Sequence, residues 1–258
     1  MLSAEKIKAH LCSDLKNVSI NVVEKTDSTN SVVKKVGNKE KEWYTLVALS
    51  QTAGRGRLGK SFFSPCNTGV YFSILLKPEI EIEDFVMITT GAAVAVTRAL
   101  EKNGVVEPKI KWVNDIFIDD KKVCGILAES VINSESRKIE YAVLGIGINL
   151  TEPESGFPEE LRSIAGAALK NSAPDIKERF ISEFMNEFYE IYKNPDRRGF
   201  MAEYREKCFV LGREIEVITA DGTRKGKAIS IDEKAHLQVA FADGSTEFIS
   251  SGEISIKI

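Results

Sequence analysis

With 258 residues, 43% of them hydrophobic and 28% charged, the chain has ordinary globular composition and enough length for one large core with a small appendage. Thirty-five basic against 38 acidic residues give a formal charge of −3, which argues against a general electrostatic grip on nucleic acid and confines any basic site to a local patch. Four cysteines without a CxxC pair and two histidines support neither a disulfide framework nor a zinc site; with no secretory leader and no apolar run of membrane-spanning length, the expected location is the cytoplasm.

Ser3 is placed to cap a short helix reaching about His10, and Val18-Ser19-Ile20-Asn21-Val22-Val23 alternates like a strand. Asp27-Ser28-Thr29-Asn30 then opens a helix to about Val36, and taken alone its hydroxyl and amide groups read as an N-cap. Two β-rich runs, Thr45 to Gln51 and Gly69 to Leu76, flank Gly54-Arg55-Gly56-Arg57-Leu58-Gly59-Lys60. That heptad holds three glycines and three fixed cations. Each glycine would weaken a helix by roughly 1 kcal/mol, so the segment reads as a loop whose backbone can approach a ligand. Its arginines offer planar forks suited to phosphate or carboxylate, although a plain solvated turn or a nucleic-acid surface would carry the same residues.

Glu83 to Lys102 reads as a long helix striped by Phe85, Ile88, Ala92, Val96 and Leu100 and stopped by Asn103-Gly104. Strand candidates follow at Lys109 to Trp112, Ile116 to Ile118, Lys122 to Glu129 and Tyr141 to Asn149, with a turn at Asp119-Asp120. Strands joined by short turns predict an α+β domain with a mixed or mostly antiparallel sheet rather than a doubly wound one. Pro158 to Leu169 and Asp175 to Tyr192 look helical, the second striped by Ile176, Phe180, Phe184 and Phe188. From Leu211 onward come five short strand candidates with Asp221-Gly222 and Asp243-Gly244 as hairpin turns, the pattern of a small β-barrel. The expected division is a catalytic domain over 1–209 and a barrel over 210–258. Gly145-Ile146-Gly147-Ile148-Asn149 lacks the third glycine and following helix of a dinucleotide fingerprint. Lys122, beside Lys121 and two aspartates, also fits a solvated hairpin end, and Trp112 reads as a core residue.

Taken in order, Ser28-Thr29-Asn30, Ser50-Gln51-Thr52-Ala53-Gly54-Arg55-Gly56-Arg57, Lys111-Trp112-Val113-Asn114-Asp115, Lys122-Val123-Cys124-Gly125-Ile126-Leu127 and Gly145-Ile146-Gly147-Ile148-Asn149, followed by a small β-barrel, resemble the biotin–protein ligases. The resemblance runs from about residue 20 to the end. It departs from the family at Val113, where proline is frequent, and at Phe62, where many members carry tryptophan. It implies a class II aminoacyl-tRNA synthetase-like catalytic fold with a C-terminal SH3-like barrel. The short segment ahead of the first motif resembles the monofunctional class, with no DNA and no membrane as partner and a homodimer left open.

The implied reaction is a biotin–[biotin carboxyl-carrier protein] ligation with ATP and Mg²⁺. Biotin is activated as biotinyl-5′-AMP and then passed to a lysine of a biotin carboxyl carrier protein or carrier domain. By the resemblance, Lys122 contacts both the carboxylate and the α-phosphate, and Arg57 and Asp115 complete the catalytic set. Ser28, Thr29, Asn30, Gln51, Gly54, Arg55, Gly56, Arg57, Lys122 and Gly125 take the biotin side, with Gly125 and Ile126 as walls for the valeryl chain. Arg55, Arg57, Phe62, Asn114, Asp115, Lys122 and Asn149 take the nucleotide side. Asp115 is also the Mg²⁺ residue and the helper for the incoming amine. The alternatives are a lipoate–protein ligase-like acyl transferase, which shares the fold, and a non-enzymatic nucleic-acid-binding protein using the arginine loop; the charge of −3 weighs against the latter.

Overall fold

The computed structural model describes residues 2–171, 173–194, 196, 198–219, 222–250 and 252–256. Ser3 caps α1 (Ala4–Ala9), its hydroxyl accepting from the Lys6 N–H at 3.2 Å. There follow β1 (Ile20–Thr26), α2 (Thr29–Val36), β2 (Thr45–Gln51), β3 (Gly69–Leu76), α3 (Val86–Lys102), β4 (Lys109–Lys111), β5 (Asp115–Ile118), β6 (Lys121–Ile132) and β7 (Ile139–Asn149). Among the described residues these strands form one seven-stranded sheet in the order β1-β2-β3-β7-β6-β5-β4, with only the β1–β2 pair parallel. The mixed, mostly antiparallel sheet matches the expectation. The Asp119-Asp120 turn is also as expected, with both residues at positive φ (47° and 60°) as a two-residue hairpin of this twist requires.

Alternation along β3 decides what each face of the sheet meets. Val70, Phe72, Ile74 and Leu76 enter the large core under α3 and α4 (Ile176–Lys193), where Phe72 meets Phe184 edge-on at 5.4 Å between ring centres. Leu75 faces the other way, into a small cluster with Val33, Leu46, Tyr141 and Val143 that seats α2. Helix α2 covers only one end of that face. The other end is left for a cleft.

The expected helix over Pro158 to Leu169 is reduced to a 3₁₀ turn at Glu159–Leu161. Beyond it the chain runs alongside β6 and the end of β7. Lys122 N–H donates to Ile164 O at 2.8 Å, Gly166 N–H to Lys122 O at 2.9 Å and Ala168 N–H to Asn149 O at 2.9 Å. Backbone groups a helix would have bonded internally are satisfied by neighbouring strands instead.

After α5 (Met201–Lys207) come β8 (Glu214–Thr219), β9 (Gly222–Ile231), β10 (Leu237–Phe241), β11 (Thr246–Ile249) and β12 (Glu253–Ser255). The five expected strands are present in an antiparallel sheet of order β11-β10-β9-β8-β12. Among the described residues β11 and β12 stand at the two ends of that order and are not paired with each other. The Asp243-Gly244 turn forms, with Phe241 N–H donating to Ser245 O at 2.9 Å; of the Asp221-Gly222 turn, Asp221 lies outside the described residues. Ile215, Val217, Leu237, Val239 and Ile254 of this sheet belong to the same buried cluster as α3 and α4. Trp112 Nε1–H donates to Ala235 O at 2.9 Å and Tyr204 hydroxyl to Val113 O at 3.1 Å, fastening the sheet and α5 to the turn between β4 and β5. Among the described residues no helix is long and apolar enough to cross a membrane.

Candidate active site

Three glycines make the floor of the cleft. Gly125 of β6 stands opposite both Asp115 of β5 and Gly147 of β7, while Gly145 stands opposite Leu127 and Ser73. A methyl group at Gly147 would come within 2.7 Å of the Phe62 ring, and one at Gly145 within 2.0 Å of Asn30 Oδ1. The missing side chains are therefore the space in which Phe62 and Asn30 lie. Above this floor opens a cleft of about 680 Å³, large enough for a nucleotide-sized ligand.

At the α2 end the lining is neutral and hydrogen-bonded. Ser28 caps α2, and the Thr29 N–H donates to Gln51 Oε1 at 2.8 Å, so the helix start is tied to the end of β2. Gln51 Nε2 in turn donates to Ser64 Oγ at 3.0 Å. Ser73 Oγ lies 2.7 Å from Thr29 Oγ1 and 2.6 Å from Asn30 Oδ1, and the Asn30 amide nitrogen donates to Leu127 O and to Glu129 Oε2 at 3.2 and 3.0 Å. Thr29, Asn30 and Ser73 are at most 4% exposed.

At the β5–β6 end the lining is charged. A register shift between Ile116 and Phe117 lets the hairpin bring Lys122 Nζ to 2.7 Å from Asp115 Oδ1. Asn114 Nδ2 donates to the same Asp115 oxygen at 3.0 Å, and Asn114 Oδ1 accepts from Arg57 Nη1 at 3.2 Å. The Lys122 ammonium stands 6.0 Å from the centre of the Phe62 ring. Asn149 also lines the cleft; its Oδ1 is buried and, among the described residues, without a hydrogen-bond partner.

The arginine loop forms a tight hairpin between β2 and β3. Gly56 N–H donates to Lys60 O at 2.7 Å and Phe62 N–H to Gly54 O at 2.9 Å. Leu58 at φ 53° and Gly59 at φ 76° turn the chain, and Leu58 is 71% exposed at the cleft's rim. Arg55 points to Glu129 at 3.1 Å, while Lys60 is ion-paired with Glu253 of β12, which carries the C-terminal sheet to the cleft.

Nearly every residue singled out from the sequence thus lines one cleft: Ser28, Thr29, Asn30, Gln51, Arg55, Gly56, Arg57, Phe62, Asn114, Asp115, Lys122, Gly125, Ile126 and Asn149. Gly54 does not; it lies buried behind the wall, where a methyl group would stand 2.4 Å from Phe62 O. Sequence reasoning passed over Ser64, Ser73 and Glu129, the 157–165 segment and the 252–256 edge. Ser73 had a signal, as a lone hydroxyl inside an otherwise apolar strand. Lys111 was read only as part of a motif, yet it lines the cleft with its ammonium 5.8 Å from the Phe117 ring centre. Burial holds its pKa below the ordinary lysine value, against the opposing pull of Asp115 and Glu253.

Comparison with known proteins sets this cleft in a family. Residues 22–149 match the model of the biotin/lipoate A/B protein ligase family, a span that includes α2, the arginine loop, Lys122 and Asn149. The chain is 29% identical over 255 residues to the bifunctional ligase/repressor BirA of Bacillus spizizenii, covering 97% of this chain and 78% of that protein. It is 26% identical over 245 residues to the biotin–[acetyl-CoA-carboxylase] ligase of Mycobacterium tuberculosis, covering 91% and 88%. The biotin protein ligase from Aquifex aeolicus in complex with biotin and ATP superposes with a TM-score of 0.74 at 27% identity, covering 92% of this chain and 97% of that one. The chain belongs to the biotin–protein ligase family.

Proposed function

We propose that this protein activates biotin with ATP as biotinyl-5′-AMP and transfers the biotinyl group to a lysine of a biotin carboxyl carrier protein or carrier domain. The observation that carries the reading is the polarity of one cleft: a buried, neutral hydrogen-bonding end and a cationic end share a side-chain-free floor. The bicyclic urea head of biotin needs neutral donors and acceptors, here Ser28, Thr29, Asn30 and Gln51. The valeryl chain lies along Gly125 and Ile126 toward Lys122.

In the first step a biotin carboxylate oxygen bonds to the α-phosphorus and the bond to pyrophosphate breaks. Two anions must meet, so the barrier is dominated by repulsion that nearby cations offset. Lys122 stands at the junction, already aligned by Asp115, and Arg57 holds the acyl-phosphate side from the loop. Asn114 and Asn149 face the nucleotide, with Phe62 as a flat apolar wall. Mg²⁺ beside substrate phosphates needs only one or two carboxylates, and Asp115 at the charged end of the cleft supplies one, so the residues present fit the ion as a companion of the nucleotide. Asp115 would hold it, and when bound it neutralises the pyrophosphate that leaves.

In the second step the acceptor lysine's amine bonds to the biotinyl carbonyl carbon, the bond to AMP breaks and the amine sheds a proton. At neutral pH only about one such amine in a thousand is uncharged for a pKa near 10.4, and Asp115 is the carboxylate placed to take its proton. The same reading takes the C-terminal sheet as an SH3-like barrel beginning near residue 210, and the protein as a cytoplasmic enzyme, alone or as a homodimer.

The test is labelling of a purified carrier domain by radioactive biotin or radioactive lipoate, with and without ATP. ATP-dependent transfer of biotin alone is expected. Transfer of lipoate instead would reassign the substrate, and no transfer of either would remove the ligase reading.

A further inference from the structure

Ser64 lines no part of the cleft and belongs to none of the motifs that led to it, yet its hydroxyl joins two residues that do line it. The residue is buried, at 5% exposure. Gln51 Nε2 donates to Ser64 Oγ at 3.0 Å, and Ser64 Oγ donates to Phe62 O at 2.9 Å. The hydroxyl thus spends its one proton on the Phe62 backbone and a lone pair on the Gln51 amide. These two partners stand on opposite arms of the arginine hairpin, whose base is closed by Gln51 N–H to Ser64 O at 3.0 Å and Phe62 N–H to Gly54 O at 2.9 Å. Gly54 leaves room for the bridge: a methyl group there would stand 2.6 Å from Ser64 Oγ and 2.4 Å from Phe62 O.

Each end of the bridge serves a different part of the site. Gln51 Oε1 accepts from the Thr29 N–H at 2.8 Å and from the Thr29 hydroxyl at 3.2 Å, which settles which end of the amide faces α2. Ser64 does not choose that direction; it anchors the nitrogen end, so the Gln51 side chain is held at both ends beside the cleft. At Phe62 the bridge holds the main chain while the ring lies over the floor, against the space left by Gly125 and Gly147 and edge-on to Tyr71 at 6.3 Å between ring centres. In so close-packed a setting a shift of the Phe62 backbone moves the ring with it. We infer that Ser64 is a positioning residue for both substrates: through Gln51 it sets the neutral end that takes the biotin head, and through the Phe62 carbonyl it sets the wall beside the nucleotide. The inference rests on the biotin and ATP reading of the cleft.

Ser64→Ala removes the hydroxyl with little change of shape. In the whole protein, S64A should raise the KM for biotin and the KM for ATP roughly tenfold each, equivalent to about 1.4 kcal/mol, with kcat near wild type. Ser64→Thr keeps the hydroxyl and should return both KM values most of the way to wild type. For biotin, adding Gln51→Ala to S64A should cost no more than the poorer single variant, since residues acting through one contact are not additive. A rise in only one KM, or in neither, would overturn the inference, as would additive losses or an S64T variant as impaired as S64A. Should S64A not fold, Gly54→Ala wedges the same bridge with the hydroxyl still in place, and wild-type KM values for both substrates in G54A would reject the inference. Wild-type protein that makes no adenylate from biotin and ATP would instead fault the biotin reading, a result distinguishable from all of these.

Discussion

At the α2 end of the cleft Thr29, Asn30 and Ser73 are buried and bonded to one another, whereas at the β5–β6 end the side chains of Lys122 and Asp115 are 33% and 21% exposed and joined as an ion pair. The two ends call for different physics. A buried neutral network is costly to leave half satisfied, so it holds one geometry and can recognise a neutral group by shape and hydrogen-bond direction. A half-exposed ion pair is worth little to stability, so Lys122 can exchange Asp115 for an incoming anion at small expense. On the proposed function, recognition belongs to the buried end and chemistry to the exchangeable one.

The comparison breaks most severely at Lys122. Lys122→Ala should lower the rate of biotin-dependent pyrophosphate release by at least ~10²-fold, the scale for deleting one preorganised electrostatic partner, with little change in the thermal midpoint. Pyrophosphate release near the wild-type rate would remove Lys122 from the mechanism.

Arg57 lies between the ends, on the loop, and tests retention rather than formation. Arg57→Gly removes a charge-assisted bond worth about 1.5–3 kcal/mol from the acyl-phosphate side, so adenylate should still form but leave roughly ten- to a hundredfold faster. With biotin, ATP and serum albumin present, the variant should biotinylate the albumin. Albumin left bare, with adenylate released no faster than from wild type, would refute the clamp.

At the rigid end, Gly145→Ala would push a methyl group to 2.0 Å from Asn30 Oδ1, an atom held in place by Ser73. Overpacking of about 1–3 kcal/mol should appear as a biotin KM raised roughly tenfold, with the ATP KM little altered. Equal losses for both substrates would mean that the two ends are not separable.

The smallest effect concerns Lys111, whose pKa burial depresses. A lysine with a folded-state pKa below its unfolded value binds fewer protons when folded, so its burial penalty is fully present at neutral pH and is relieved as pH rises toward its ordinary value of 10.5. Lys111→Met should therefore melt no lower than wild type at pH 7, and any advantage should shrink by pH 10. Thermal melts across that range would decide it; an advantage that grows with pH would contradict the assignment.

The strands, most of the helices and the loop could be read from the chain because each is a local pattern: β-rich apolar runs at β2 and β3, a capped start at Ser28, Asp-Asp and Asp-Gly turns, a glycine-rich break between strands. The motifs that hold Lys122, Asp115 and Arg57 are legible in the chain, and the structure brings the three side chains to one end of one cleft. What the chain could not disclose was how backbone groups far apart would satisfy one another. The 158–169 segment has helical composition, but β6 and β7 offered its N–H and carbonyl groups better partners, and tertiary hydrogen bonding overrode propensity. The strand order of the C-terminal sheet, the reach of Glu253 into the cleft and the convergence of Asn30, Arg55 and Lys34 on Glu129 were likewise decided by strand order and sheet register. Residues 99 positions apart, as Asn30 and Glu129 are, leave no periodicity in the sequence from which their contact could be inferred.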